Sequence, residues 1–338
     1  MRTTAPWAAL VLMAACSPSR PDTPPAAPNS LGAYRLDGPH ARGNLTLYFL
    51  CSKEAVGDTD CVTLEEGLGS GVLRVTEKAQ GAEVNELQVE NVGDRPVYLQ
   101  AGDTVKGGQQ DRTLAADVVL PPKSGPRTLD AFCVEPGRWE ARPGAAAASV
   151  EAPLAFQAAP APVASKEQKL ALKYAKSQEQ VWEEGRKVNQ AFARQSGGGQ
   201  AADSFVLAVE NPEIQKKVAE AVAALEKAIP SDAVGVAVAV NGKLESVDAY
   251  ASTGLFRKLW PKLLRGAVLE SLAKKADGDP KPVTEADVRA ALAKAAEGHA
   301  TTETRPGNMT VKVYDREKTL LFDTESEGKL MHRQLLTR

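Results

Sequence analysis

Histidine is almost absent from this chain. Three residues, His40, His299 and His332, are scattered over 338 positions. No Cys-x-x-Cys or His-x-x-x-His spacing supplies a second ligand, so the sequence offers no zinc site. The Gly-x-Ser-x-Gly nucleophile turn and the Gly-x-x-x-x-Gly-Lys-Ser/Thr phosphate loop are also missing, and no cofactor is implied. No charge excess is present either. Lys and Arg number 41 against 43 Asp and Glu, a net charge of -2, which gives no electrostatic footprint for nucleic acid. Aromatics make up 5% of the chain, so a core must rely on Val, Leu and Ala. Beyond the first residues no apolar run approaches the roughly 20 residues of a spanning helix.

The N-terminus is the sharpest feature. Arg2 precedes an almost wholly apolar stretch over 5–15, which ends in Met13-Ala14-Ala15-Cys16. Its length suits the apolar region of a signal peptide and is too short to cross a bilayer. Small residues before a cysteine resemble a lipobox, with Met13 where Leu is usual. The expectation is an exported lipoprotein, cut before Cys16 and held to a membrane by lipid on that residue. Residues 17–43 begin as a Pro/Ala/Ser-rich stretch and read as a disordered tether. Ser17 rather than Asp after the lipidated position favours the outer membrane, facing the periplasm or the surface. An oxidising compartment follows from export. Cys51 and Cys61 bracket a polar loop and are candidates for a disulfide, which leaves Cys133 unpaired.

From 44 to about 136 the pattern is β. Apolar residues alternate near a period of two over 44–50, 72–77, 84–90 and 96–101, with turn clusters between; 113–120 and 129–134 add two more runs. Residues 63–69 read as a short helix capped by Thr63, with Glu65 and Glu66 in its first turn. Residues 140–165, rich in Ala and Pro, read as a linker or extended surface loop. The rest is helix-rich. Helices are expected over 166–194, from the Asn211-Pro212 start to about 229, over 254–275 with Pro261 near its start or kinking it, and from a Thr284 cap to about 296. Asn241-Gly242 between apolar runs 234–240 and 244–251 marks a hairpin, and 310–314 with 319–323 a second. The fold class is α+β: an N-terminal antiparallel sandwich or barrel-like part over 44–139, then helices packed on a hairpin over 166–338, the two either separate or one domain.

Three constellations carry possible chemistry. Residues 102–112 place Lys106, Asp111 and Arg112 around Gly107-Gly108, with Gln110 between them. Glycine permits positive φ there, and successive N–H groups in such a loop can hold an anion. The competing reading is a strand–bulge–strand corner with an internal Asp–Arg pair. Cys133 and Glu135 lie close to Arg138 and Trp139. A thiol nucleophile needs a positive neighbour or a His base, and a buried structural cysteine fits as well. The basic residues over 256–265 suit an acidic partner or simply a solvated helix face.

These segments converge on a family. The stretches 63–68 (TLEEGL), 75–77 (VTE), 84–87 (VNEL) with Glu90-Asn91, 107–112 (GGQQDR), 133–139 (CVEPGRW) and 255–265 (LFRKLWPKLLR) resemble the ARG and rhodanese-phosphatase superfamily-associated protein domain, where ARG denotes ADP-ribosylglycohydrolase. The resemblance runs from about 44 to the C-terminus. It implies a partner role in systems that handle ADP-ribose or NAD-derived nucleotides, and it brings no catalytic residues to carry over. The resulting expectation is a non-catalytic module binding a small anionic molecule at Lys106, Gly107, Gly108, Gln110, Asp111, Arg112, Glu135, Arg138 and Trp139. The alternatives are a hydrolase of a phosphate-containing or glycosidic molecule, with Asp111 and Glu135 as acid and base, and a purely structural surface protein.

Overall fold

The computed structural model describes residues 34–53, 60–77, 85–136, 155–157, 163–276, 278, 281–297, 299–305 and 308–338. Cys16, Arg138 and Trp139 lie outside them. In chain order the first half gives β1 (Arg35–Arg42), β2 (Leu45–Cys51), β3 (Val62–Thr63), α1 (Leu64–Ser70), β4 (Leu73–Thr76), β5 (Glu86–Asn91), β6 (Val97–Leu99), β7 (Thr104–Gly107), β8 (Arg112–Leu114), β9 (Val118–Leu120), β10 (Gly125–Cys133) and β11 (Phe156–Gln157). The second half gives α2 (Lys166–Leu170), a π turn (Ala171–Ala175), α3 (Gln178–Gln195), α4 (Phe205–Glu210), α5 (Pro212–Leu225), β12 (Ala233–Val240), β13 (Lys243–Tyr250), α6 (Thr253–Ala273), α7 (Glu285–Ala295), β14 (Thr301–Arg305), β15 (Met309–Asp315), β16 (Thr319–Ser326) and β17 (Lys329–Thr337). The molecule is α+β, as its sequence indicates.

An eight-stranded antiparallel sheet, ordered β1-β2-β12-β13-β17-β16-β15-β14, forms the centre. It joins the two ends of the chain, since β2 from the first half pairs with β12 from the second. Every residue of β12 is buried, because both faces of this sheet are covered. Side-chain alternation sends Leu45, Leu47 and Phe49 of β2 toward α3–α6 and Tyr48 and Leu50 toward α7. A six-stranded sheet, β11-β7-β8-β10-β5-β4, and a small one, β3-β6-β9, complete the fold. The former packs its own apolar cluster around Leu87, Val89, Leu114 and Leu129.

Several elements follow directly from local chemistry. Thr63 caps α1 in a reciprocal box with Glu66, a motif worth about 1 kcal/mol. Asn241 and Gly242 both take positive φ, +50° and +68°, the backbone that a two-residue hairpin needs. Gly235 is needed for another reason: a Cβ there would lie 2.2 Å from the Asp248 carbonyl of the neighbouring strand.

Other expectations are corrected. The tether does not reach residue 43, because 35–42 form edge strand β1; its sequence RLDGPHAR is mostly exposed and shows no period. Residues 113–120 split into β8 and β9, which belong to different sheets. Part of the supposed linker, β11, pairs with β7. The helix over 166–194 is broken: Lys176 adopts left-handed φ, and the Ser177 side chain caps α3 by accepting from Gln180 N–H. Pro261 lies inside α6 (Thr253–Ala273), beyond its first turns, which leaves the kink as the open half of that expectation. Cys51 and Cys61 are both buried with free thiols, so the expected disulfide is not formed. No described helix is long and apolar enough to cross a membrane.

Candidate functional site

The glycine loop between β7 and β8 is turned inward. Gln110, Asp111, Arg112 and Glu135 are all buried. Gly107 and Gly108 have positive φ, and three amides of the loop already have carboxylate partners. Gly107 N–H donates to Asp111 Oδ1 at 3.0 Å, Gln109 N–H to Glu77 Oε1 at 2.9 Å, and Asp111 N–H to Glu135 Oε2 at 2.9 Å. The chain's own carboxylates therefore stand where an external anion would. Arg112 donates to Gln110 Oε1 at 2.8 Å and to the Cys133 sulfur, and lies 3.6 Å from Glu77. The internal partner of Arg112 is thus Glu77, not Asp111. A Cβ on Gly108 would come within 2.6 Å of the Glu77 carboxylate, which explains the glycine. Lys106 turns away to pair with Glu210 at 2.5 Å.

Cys133 is correspondingly quiet. Burial pushes its thiol up to about 11 against the pull of Arg112, so it is not a thiolate nucleophile. Asp111 and Glu135 each hold a backbone amide, which leaves them poorly placed for acid–base work on a bound molecule. This loop is a fixing point for the six-stranded sheet.

A different set of polar residues surrounds an open cleft between α2, α3 and α6. It encloses about 200 Å³, with Val163, Val188, Phe205 and Leu269 among its walls and Glu167, Glu270 and Lys274 among its polar groups. Glu167, Glu245 and Glu270 bring carboxylate oxygens within 4.8 Å of one another. The Lys274 ammonium lies among them, at 3.4, 2.8 and 3.2 Å respectively. Lys166 adds a 2.7 Å contact to Glu245. Lysine thus supplies the positive charge that a metal ion would bring, and the trio is a neutralised ion-pair cluster. Burial holds the Glu270 carboxyl above the ordinary carboxylate range, Lys274 opposing.

Below this cleft a smaller cavity of about 30 Å³ shares Val163, Gly266 and Glu270 with it and reaches Lys169, Ser246 and Asp248. Lys169 is only 7% exposed, yet its ammonium forms no ion pair and no side-chain hydrogen bond among the described residues. Behind it runs a buried chain of polar groups. Asp248 Oδ1 accepts from Gln334 at 2.6 Å and contacts His332 Nε2 at 3.0 Å; His332 Nδ1 meets Asp117 Oδ2 at 2.9 Å. Thr324 and the Ala101 amide also donate to Asp117. Burial would lower the His332 pKa, but the two carboxylates raise it above the ordinary value. Burial would raise Asp248, but Lys169 and His332 hold it below its ordinary value. Lys173, bonded to Gln334 at 2.8 Å, is brought down to about 8 by burial.

The sequence reading did not single out Lys169, Glu270, Asp248 or His332 as one site. They come from α2, α6, β13 and β17, and only the pairing of β13 with β17 and the packing of α6 on β12 bring them together. Glu270 inside the apolar run 267–272 was the one local signal.

The model of one protein family, the ARG and Rhodanese-Phosphatase-superfamily-associated Protein domain, matches residues 33–336. No curated protein and no solved structure matches the chain.

Proposed function

The chain belongs to the ARG and Rhodanese-Phosphatase-superfamily-associated Protein domain family, and from that premise we propose that it is a non-catalytic binding module that takes a small molecule in the cleft between α2, α3 and α6. The observation that carries this reading is Lys169. Lys169 is 7% exposed, makes no ion pair or side-chain hydrogen bond among the described residues, and lines a small cavity that shares Val163, Gly266 and Glu270 with the cleft. The family's association with ARG and rhodanese-phosphatase systems supports a partner role beside enzymes of ADP-ribose or NAD-derived nucleotides. We further propose that the folded domain is tethered through lipid on Cys16. The family match begins at residue 33, just past the apolar leader and the Pro/Ala/Ser stretch.

Gly266 provides the test of the cleft. It lines both cavities, and a Cβ there meets only Val163, at 3.5 Å. Gly266→Leu is therefore expected to fill the cleft while the chain still folds. Calorimetry or thermal shift with a metabolite panel, including ADP-ribose, should show a ligand for the wild type and none for the variant. Identical profiles, or silence across the panel, would remove the binding reading. Tethering is checked separately: Cys16→Ser should shift the protein from membrane to soluble fractions, and an unchanged membrane fraction refutes it.

A further inference from the structure

The polar lining of the cleft carries both signs of charge, and this restricts its occupant. Resting on the reading of the cleft as a binding site, we propose that the ligand is a small zwitterion, with one ammonium and one carboxylate on an apolar body the size of an amino acid.

The small cavity that adjoins the cleft is lined by both a cation and an anion, Lys169 and Asp248. Lys169 offers unspent donors. Asp248 accepts from Gln334 and meets His332 through Oδ1 alone, so its Oδ2 takes no side-chain hydrogen bond among the described residues, and Asp248 lines the small cavity. Glu270 spends Oε1 on Lys274. A ligand bearing only negative charge would reach Lys169 past Asp248 and Glu270. One bearing only positive charge would face Lys169 and Lys274. Like charges brought together in a desolvated site are strongly unfavourable, whereas a zwitterion satisfies both signs at once. Lys274 is already held by three carboxylates and Lys187, which also lines the cleft, by Glu183 and Glu184, so Lys169 is the cation left for the ligand's carboxylate. Asp248 and Glu270 are left for its ammonium.

Size and apolar walls point the same way. The cleft's volume of about 200 Å³ falls below the roughly 300–1,000 Å³ typical of pockets for drug-sized ligands. Val163, Val188, Phe205 and Leu269 would pack the apolar body.

The test is calorimetry on the full-length chain with leucine and phenylalanine, each compared with its N-acetyl form, which lacks the ammonium, and its carboxamide, which lacks the carboxylate. ADP-ribose is the nucleotide arm. At least one amino acid should bind saturably, and each blocked form at least about tenfold more weakly, because a buried partner is then left unpaired. Gly266→Leu should abolish the signal. Lys169→Met, which leaves the cleft open, should erase the advantage of the amino acid over its carboxamide. Blocked forms that bind as tightly as the parent overturn the proposal, as does silence of both amino acids. If ADP-ribose binds and Gly266→Leu removes it, the cleft stands as a binding site and the ligand class falls. If no probe responds to Gly266→Leu, both readings fall.

Discussion

Two buried lysines should respond to very different extents to the same substitution. Lys262 on α6 is paired: its ammonium lies 2.7 Å from Asp103 Oδ1 and 3.4 Å from Glu65, and the Asp103 side chain is 1% exposed. Lys262→Met would leave that carboxylate with the Gln100 amide, at 3.0 Å, as its described hydrogen-bond donor. Breaking a buried pair from one side costs about 3–5 kcal/mol. Lys169 is equally buried but breaks no ion pair when replaced. The Lys169→Met thioether occupies the space of the stem, removes a charge that burial disfavours, and forfeits only longer-range attraction to Asp248 and Glu270. A volume-conserving exchange of this kind costs less than about 1.5 kcal/mol. Guanidinium unfolding of the full-length variants, compared at unchanged denaturant slope, reads both values directly. If Lys169→Met loses as much stability as Lys262→Met, Lys169 is a structural partner and the open floor of the cleft is not a binding feature.

The remaining predictions concern the network behind the cleft and the glycine loop. Because Asp117 and Asp248 raise the His332 pKa, its stabilisation is fully present below the unfolded value of about 6.5 and is lost as pH rises through the folded one. Lys173, lowered to about 8, acts oppositely between that value and about 10.5, but it does so in wild type and variant alike. The stability gap between wild type and His332→Gln should therefore be widest near pH 5.5 and shrink on the alkaline side; a gap constant up to about pH 10 in denaturation curves would contradict the assigned charge. At the loop, Arg112→Ala should cost about 3–5 kcal/mol, since it strands buried Glu77. Lys106→Ala, which loses a partly exposed pair with Glu210, should cost at most about 1 kcal/mol. Equal losses in unfolding experiments would mean that Arg112 is not the anchor of that corner.

What was legible in the sequence was local. The Thr63 box, the Asn241-Gly242 turn between two apolar runs, the α7 start at Thr284 and the α+β class all depend on residues a few positions apart. What was hidden depends on pairing over long separations. Strand β17 reads Lys329 to Thr337 with His332, Arg333 and Gln334 in sequence, a run that looks solvated. In the sheet, His332 and Gln334 face Asp248, while Arg333 forms a two-pronged contact with Asp323 on the opposite face. Edge strand β1 is hidden for the opposite reason, since an exposed strand shows little periodicity. At the glycine loop the sequence suggested an internal Asp–Arg pair, whereas Arg112 lies against Glu77, a residue 35 positions earlier in the chain. The loop's charges were clustered to satisfy one another.

That contrast gives a criterion for where this fold keeps capacity for a ligand. Around the loop, backbone amides and the Arg112 guanidinium meet carboxylates from Glu77, Asp111 and Glu135, so an incoming anion would have to displace them. Around the cleft, Lys274 is matched three times over, while Lys169 is left unmatched. The backbone beside Lys169 is also irregular. A helix that sequence pattern would carry straight through turns into a π segment at Ala171 and stops at left-handed Lys176. Such π turns inside helices occur frequently at functional sites, and a non-glycine residue at φ +50° is uncommon and costs of order 1–3 kcal/mol. The interruption accompanies the inward placement of Lys169 and Lys173, while Tyr174 is left 45% exposed. Packing alone would favour the reverse, an aromatic ring inside and the lysines in water. The arrangement works against both helix regularity and apolar burial, and it brings Lys169 to the small cavity beside the cleft without an ion pair among the described residues, which supports the proposed binding role.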